Sequence, residues 1–303
     1  MKFEVIKSSS FTGHRDCIYS LQPGENQGMF FSAAGDGYVV SWSDSEPDNG
    51  RVVAKTQSSV YAMLHLPHLQ CLVVGENYQG LHLVSLRDNA ELASLKLEST
   101  PIFDLAFHDG RIFIASGDGS LTVVDAGRFE TLQRIMLGEK SARCVAINPL
   151  LGDLAVGLSD NSIRILSLAD LSPKYLIHAH KLSVFALHYS PDFRLLISGS
   201  RDAQLKVWDS VQHYALHQSV AAHLFAINSI DYAPDGKTFA TGSMDKTIKI
   251  WDSCDFRLLK VIDRARYGGH SSSVNKVLWT ADGRLLSCSD DKNIHLWSIS
   301  PSN

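Results

Sequence analysis

Four times in this sequence a histidine, a hydroxyl residue and an aspartate recur at fixed offsets. These residue types supply the nucleophile, the base and the base's orienting partner of acyl-transfer enzymes. The sets are His14, Ser32 and Asp36; His180, Ser198 and Asp202; His223, Thr241 and Asp245; and His270, Ser287 and Asp291. The His-to-Asp separations are 22, 22, 22 and 21 residues, and a tryptophan follows each aspartate by six positions: Trp42, Trp208, Trp251 and Trp297. A hydrolase needs one such set, placed in a cleft, and no G-x-S-x-G elbow is present to expose a serine. A set repeated four times is structural, so no catalytic residue is assigned. The H-A-H of His178 and His180 has no third ligand in sight, so no metal and no cofactor are expected.

The elements that carry these sets repeat with them. SAAGDGYVVSWS (32–43), SGSRDAQLKVWD (198–209), TGSMDKTIKIWD (241–252) and SCSDDKNIHLWS (287–298) share one pattern: small residues, a turn, an alternating strand, then Trp. Three degenerate copies continue the register, with Val84, Val124 and Leu166 at the Trp position. The seven anchors are spaced 42, 40, 42, 42, 43 and 46 residues apart, the length of a four-stranded blade. NSIDYAP, TFATGS, TIKIWD and RLLKVID, divided by turn residues, read as the four strands of one such unit. No segment has sustained helical periodicity, which excludes βαβ layouts. The period selects an all-β, seven-bladed propeller of four-stranded antiparallel blades, because radial repetition protects the strand edges that an open sheet would expose. After Trp297 too little chain remains for a fourth strand of the last blade. The segment 2–8, KFEVIKS, has the alternation to supply it and close the ring. The whole of 1–303 is thus read as one propeller domain.

Composition agrees. The chain is 45% hydrophobic and 20% charged, enough apolar material for a large core. Its formal charge of −4 offers no basic footprint for nucleic acid or anionic membranes. The N-terminus has no secretory h-region, and no apolar run of membrane-spanning length occurs. The five cysteines, Cys17, Cys71, Cys144, Cys254 and Cys288, are scattered without a C-x-x-C pair and read as reduced, packed thiols. Together these place the protein in the cytoplasm.

With those residues in hand, the sequence resembles the WD-repeat (WD40) family along essentially its whole length. The resemblance implies that His, Ser or Thr, Asp and Trp form a hydrogen-bonded tetrad in four blades, satisfying polar groups that a packed ring would otherwise bury unpaired. Blades two to four lack the His, and blades three and four carry Ile114 and Val156 at the Ser position. Softer or more apolar packing is expected there.

The resemblance also implies where partners bind: the residue after the first apolar position of each innermost strand. Those residues are Tyr19, Tyr61, Phe103, Arg143, Phe185, Asn228 and Asn275. Four aromatics and an Arg around one channel mouth have the composition of an interface hot spot, although aromatics could equally plug the channel. From the ring of residues preceding the turn Asp, Arg201 and Met244 join the candidate patch, with Arg suited to a carboxylate. The expected function is a non-catalytic scaffold or adaptor holding one or more partner proteins or peptides on its rim, as within a multiprotein complex. The alternative is a propeller enzyme or small-ligand binder using the channel, for which only the isolated Asp104 and Asp231 speak. No nucleic acid, membrane insertion or small-molecule substrate is expected. The longest loops are expected near Asp44 to Arg51 and Arg264 to His270.

Overall fold

The computed structural model describes residues 2–302. Seven four-stranded antiparallel sheets follow one another, each formed by strands consecutive in sequence except the last. Their spans are 18–55, 60–96, 102–136, 142–178, 184–221 and 227–262, and the seventh combines 274–302 with 2–12. The innermost strands of successive blades pack on one another around the ring, including Ile18–Pro23 of blade one against Val274–Trp279 of blade seven. This is the seven-bladed propeller expected from the period. Residues 1 and 303, the ends of the expected domain, lie outside the described residues.

Closure occurs as anticipated but extends further. The strand Lys2–Thr12 pairs antiparallel with Asn293–Ser302, with Lys7 opposite Trp297 and Thr12 opposite Asn293. The first strand is therefore the outer strand of the last blade, and opening the ring requires breaking its longest strand pair.

Blades touch through small residues on their second strands. A Cβ on Gly199 would lie 2.6 Å from Ile227 of the next blade, and one on Gly242 would lie 2.8 Å from Val274. The residues filling those notches, Ile102, Val184, Ile227 and Val274, are the first residues of inner strands and are essentially fully buried. The repeated S-G-S and T-G-S motifs thus serve packing between blades as well as the turn.

Two expectations are corrected. The stretch Asp44 to Arg51 is not a loop: the outer strand of blade one, Glu46–Lys55, runs through most of it, its pairing with Tyr38–Ser43 interrupted by irregularities. Proline and glycine within EPDNG are tolerated because this is an edge strand. The segment after Arg264 folds into a single helical turn, Arg264–Tyr267, capped by the Asp263 side chain.

A third correction concerns blade two. Blades three and four do replace the polar network by aliphatic packing around Ile112, Ile114, Val124, Leu154, Val156 and Leu166. In blade two, however, buried Glu76 accepts the backbone N–H groups of Gln57 and Ser58, both at 2.8 Å, and meets His82 Nε2 at 2.9 Å. A longer carboxylate, rooted at the end of the second strand, tethers the incoming loop as the aspartates of the complete blades do.

Candidate functional site

The four His, Ser or Thr, Asp and Trp sets form the networks that their spacing implied. Across the four blades His Nδ1 lies 2.8–3.2 Å from the carboxylate and Nε2 lies 2.7–2.8 Å from the hydroxyl, which accepts the indole N–H at 2.8–2.9 Å. One proton order satisfies every bond. The indole N–H donates to the hydroxyl, the hydroxyl donates to Nε2, and Nδ1–H donates to the aspartate. Each aspartate also accepts a backbone N–H from the loop entering its blade, at Arg15, Lys181, Leu224 and Ser271.

Three of the imidazoles are held neutral. Burial lowers the pKa of His14 and His223, and that of His180 to about 4, by more than the facing aspartate raises it. Hydrogen bonds and the facing histidine in turn keep Asp36, Asp202, Asp245 and Asp291 below the usual carboxylate range against the opposing effect of burial. The tautomer is that of a hydrolase triad, but Ser32, Ser198, Thr241 and Ser287 are 0% exposed, so no substrate reaches these hydroxyls.

The H-A-H pair diverges, because His178 is exposed on an outer strand while His180 belongs to its tetrad. Another cluster, His270, Asp291 and His295, brings donor atoms within 4.8 Å of one another, but both His270 nitrogens and His295 Nδ1 are already engaged, by Asp291, Ser287 and Ser10.

The rim residues are placed by a device repeated in every blade. Pairing of the first two strands slips once in each sheet, between Ile18 and Ser20, Val60 and Ala62, Ile102 and Asp104, Ala142 and Cys144, Val184 and Ala186, Ile227 and Ser229, and Val274 and Lys276. The skipped residues are Tyr19, Tyr61, Phe103, Arg143, Phe185, Asn228 and Asn275. A bulge residue leaves the strand's alternation and re-aims its side chain. All seven, with Arg201 and Met244, line one cavity of about 610 Å³ at the channel mouth.

Five of them form a continuous half-buried row. The Tyr19 and Tyr61 rings meet edge-on at 4.6 Å, and Tyr61 and Phe103 stack at 6.0 Å. Arg143 completes the row, its Cζ lying 3.7 Å from the Phe103 centroid and 4.7 Å from that of Phe185. Among the described residues the Arg143 guanidinium has no carboxylate within salt-bridge distance, and burial lowers its pKa. A cation between two ring faces gains from their quadrupoles, and its N–H groups, unpaired with any carboxylate among the described residues, suit an anion.

Blades six and seven use the same bulge differently. Asn228 donates to Ser273 Oγ and Val274 O, and Asn275 donates to Ile18 O and Asp290 Oδ1, so both amide nitrogens tie neighbouring blades together. Asp104 and Asp231 do related work deeper in the channel. Each accepts a backbone N–H from another inner strand, at Val145 (2.9 Å) and Trp279 (2.6 Å) respectively. They staple edge strands that face the channel.

Sequence reasoning missed three exposed apolar residues beside the mouth: Leu182, Leu224 and Phe225, at 44%, 83% and 58% exposure, with Met244 at 55%. Backbone bonds place them, since Met244 N–H donates to Ala226 O and Arg201 N–H to Ser183 O. The signal lay in the loops after the tetrad histidines, where H-K-L-S and H-L-F-A replace the polar H-R-D-C and H-S-S-S.

Seven blades, four of them bolted by the His–Ser/Thr–Asp–Trp network, define a tryptophan-anchored repeat propeller. The family model described as WD domain, G-beta repeat, matches residues 6–43, 171–209, 215–252 and 263–298, and the chain belongs to the WD-repeat (WD40) family. Over 168 residues it is 26% identical to Topless-related protein 4 of Arabidopsis thaliana, a match covering 55% of this chain and 13% of that protein. Over 179 residues it is 23% identical to the THO complex subunit 6 homolog of Danio rerio, covering 52% of this chain and 55% of that one. The matched part is thus well under two thirds of either relative. The WD40 β-propeller domain of Doa1 superposes with a TM-score of 0.86 over 97% of both chains at 19% identity, a likeness of fold. Among the described residues no helix is long and apolar enough to cross a membrane.

Proposed function

We propose that this propeller is a non-catalytic platform that receives a partner protein or peptide at the channel mouth lined by Tyr19, Tyr61, Phe103, Arg143 and Phe185. The observation that carries the reading is the unpaired Arg143 held between two phenylalanine faces at the end of an unbroken aromatic row. Blades six and seven show that the same backbone position can be closed by an Asn that bonds across to its neighbour. Five half-buried side chains of hot-spot type at this position therefore exceed what closure requires. The channel carboxylates Asp104 and Asp231 already accept backbone N–H groups, which favours binding over channel chemistry. The relative whose name makes it a complex subunit, the THO complex subunit 6 homolog, supports a role within an assembly. All five cysteines are free thiols, in keeping with the cytoplasm as the working compartment.

Affinity purification from the native cell with wild type and Phe103→Ala/Arg143→Ala tests the reading, once both melt within a few degrees of each other. The expected result is a specific set of proteins retained by wild type and lost from the variant. An unchanged set would remove the mouth from consideration.

A further inference from the structure

The mouth is not chemically uniform. Blades four and five carry Arg143 and Arg201, neither with a carboxylate partner among the described residues, and exposed Lys181 stands in the loop beside them. Two carboxylates line the same cavity and both are already engaged: Asp104 of blade three accepts the Val145 N–H, and Asp290 of blade seven accepts from Asn275. Blades five and six add the apolar group Leu182, Leu224, Phe225 and Met244, all at least 44% exposed. Single exposed apolar residues need no explanation, but four on adjacent loops, next to unpaired arginines and an aromatic row, mark an interaction surface.

We propose that the segment this mouth receives is acidic and amphipathic. One of its carboxylates enters the aromatic row to meet Arg143, a second faces Arg201, and its apolar side chains cover Leu182, Leu224, Phe225 and Met244. The inference rests on the reading of the mouth as a partner site and adds the partner's chemistry. Charge complementarity selects it. A partly desolvated guanidinium held between two rings and without a carboxylate partner favours a planar, bidentate carboxylate, and bringing a basic segment there would bury like charges together. The apolar flank favours a peptide over a polyanion. A phosphate backbone would bring no side chains to cover Leu224 and Phe225, and the chain's formal charge of −4 does not favour one.

A phage-displayed library of random 16-residue peptides selected on the full chain tests this, with binders measured against wild type, Arg143→Gln, Arg201→Gln, Leu224→Ser/Phe225→Ser and Tyr61→Ala. Arg201, Leu224 and Phe225 are exposed, so those variants fold. The expected consensus pairs Asp or Glu with leucine or aromatic residues. Arg143→Gln and Leu224→Ser/Phe225→Ser should each weaken the selected peptides by about tenfold or more. Replacing the peptide's key Glu by Lys should abolish binding, and Arg143→Glu should restore it.

Neutral or basic binders that are still lost on Tyr61→Ala would overturn the acidic assignment while leaving the platform intact. Binders indifferent to every one of these changes, or no binders at all, would overturn both. A single-stranded dT oligonucleotide that binds the mouth and displaces the peptides would show base stacking on the aromatic row and overturn the peptide assignment.

Discussion

Trp297→Ala should cost about 3–5 kcal/mol of folding stability, the range for deleting a fully buried large aromatic. The side chain is 0% exposed in the seventh blade, packed in the cluster that also holds Val5, Val277 and Trp279. Its indole N–H donates at 2.9 Å to Ser287, which bonds His270 at 2.8 Å. The change therefore opens a cavity and leaves a buried hydroxyl short of a partner. Its position raises the stakes, because Trp297 pairs with Lys7 in the strand that closes the ring. Against a typical domain stability of about 5–15 kcal/mol, a substantial fraction is at risk. Urea denaturation of wild type, Trp297→Ala and the control Leu216→Ala measures this. The exposed Leu216 should move stability by only about 0.5 kcal/mol. A loss below about 1 kcal/mol for Trp297→Ala would mean that the tetrads do not bolt the blades.

Acid should unfold the protein early, with stability falling steeply from pH 6.5 towards pH 4. Histidines held neutral by burial bind their protons later in the folded chain than in the unfolded one. The unfolded chain takes them up near pH 6.5, while His180 waits until about 4 and the His295 imidazole until about 3. Their contribution is complete above the unfolded pKa and is lost as pH falls through that window. The depressed aspartates act in the same direction below about pH 4, where the unfolded carboxylates protonate first. At about 1.4 kcal/mol per pH unit, His180 alone corresponds to a loss of the order of 3 kcal/mol.

His295 is lowered chiefly by burial, and it stacks on His270 at 4.3 Å. Protonating it strains the closing blade. Denaturation midpoints at one-unit steps from pH 8 to 4 give the profile. His295→Val, which installs the residue that blade one carries at the corresponding Val40, should flatten part of it. A flat profile between pH 7 and 5 would show that the folded chain takes up these protons at the same pH as the unfolded chain, so that burial does not hold the imidazoles neutral.

Much of this was legible before any coordinates because the constraints are periodic. The Asp-to-Trp offset of six and the 42-residue interval fix where turns and strands recur, so a degenerate copy such as SGDGSLTVVD keeps its register even with Val124 in place of Trp. The rim residues could be placed because each follows the first apolar residue of an inner strand, and the bulge at that point is common to all seven blades.

What escaped the sequence depends on reach across space. Glu76 serves blade two from the end of its second strand, two residues before the turn position of the other blades' aspartates, and it does so because a glutamate reaches further than an aspartate. Asn228 and Asn275 read as candidate contacts, yet the Asn228 amide bonds the next blade and the Asn275 amide bonds blade one, which only ring closure brings near. Leu224 and Phe225 lie in a loop, where periodicity says nothing about exposure.

Site-specific photo-crosslinking in the native cell tests the central claim most directly. The photoreactive residue would replace Tyr19, Tyr61 or Phe185 at the mouth in one series, and Leu92, Leu132 or Leu176 on outer strands in another; the latter are exposed by 58%, 53% and 49%. The platform reading predicts adducts to a shared partner from the mouth positions and none from the outer strands. Adducts confined to the outer strands would contradict it and move the interface to the propeller's circumference.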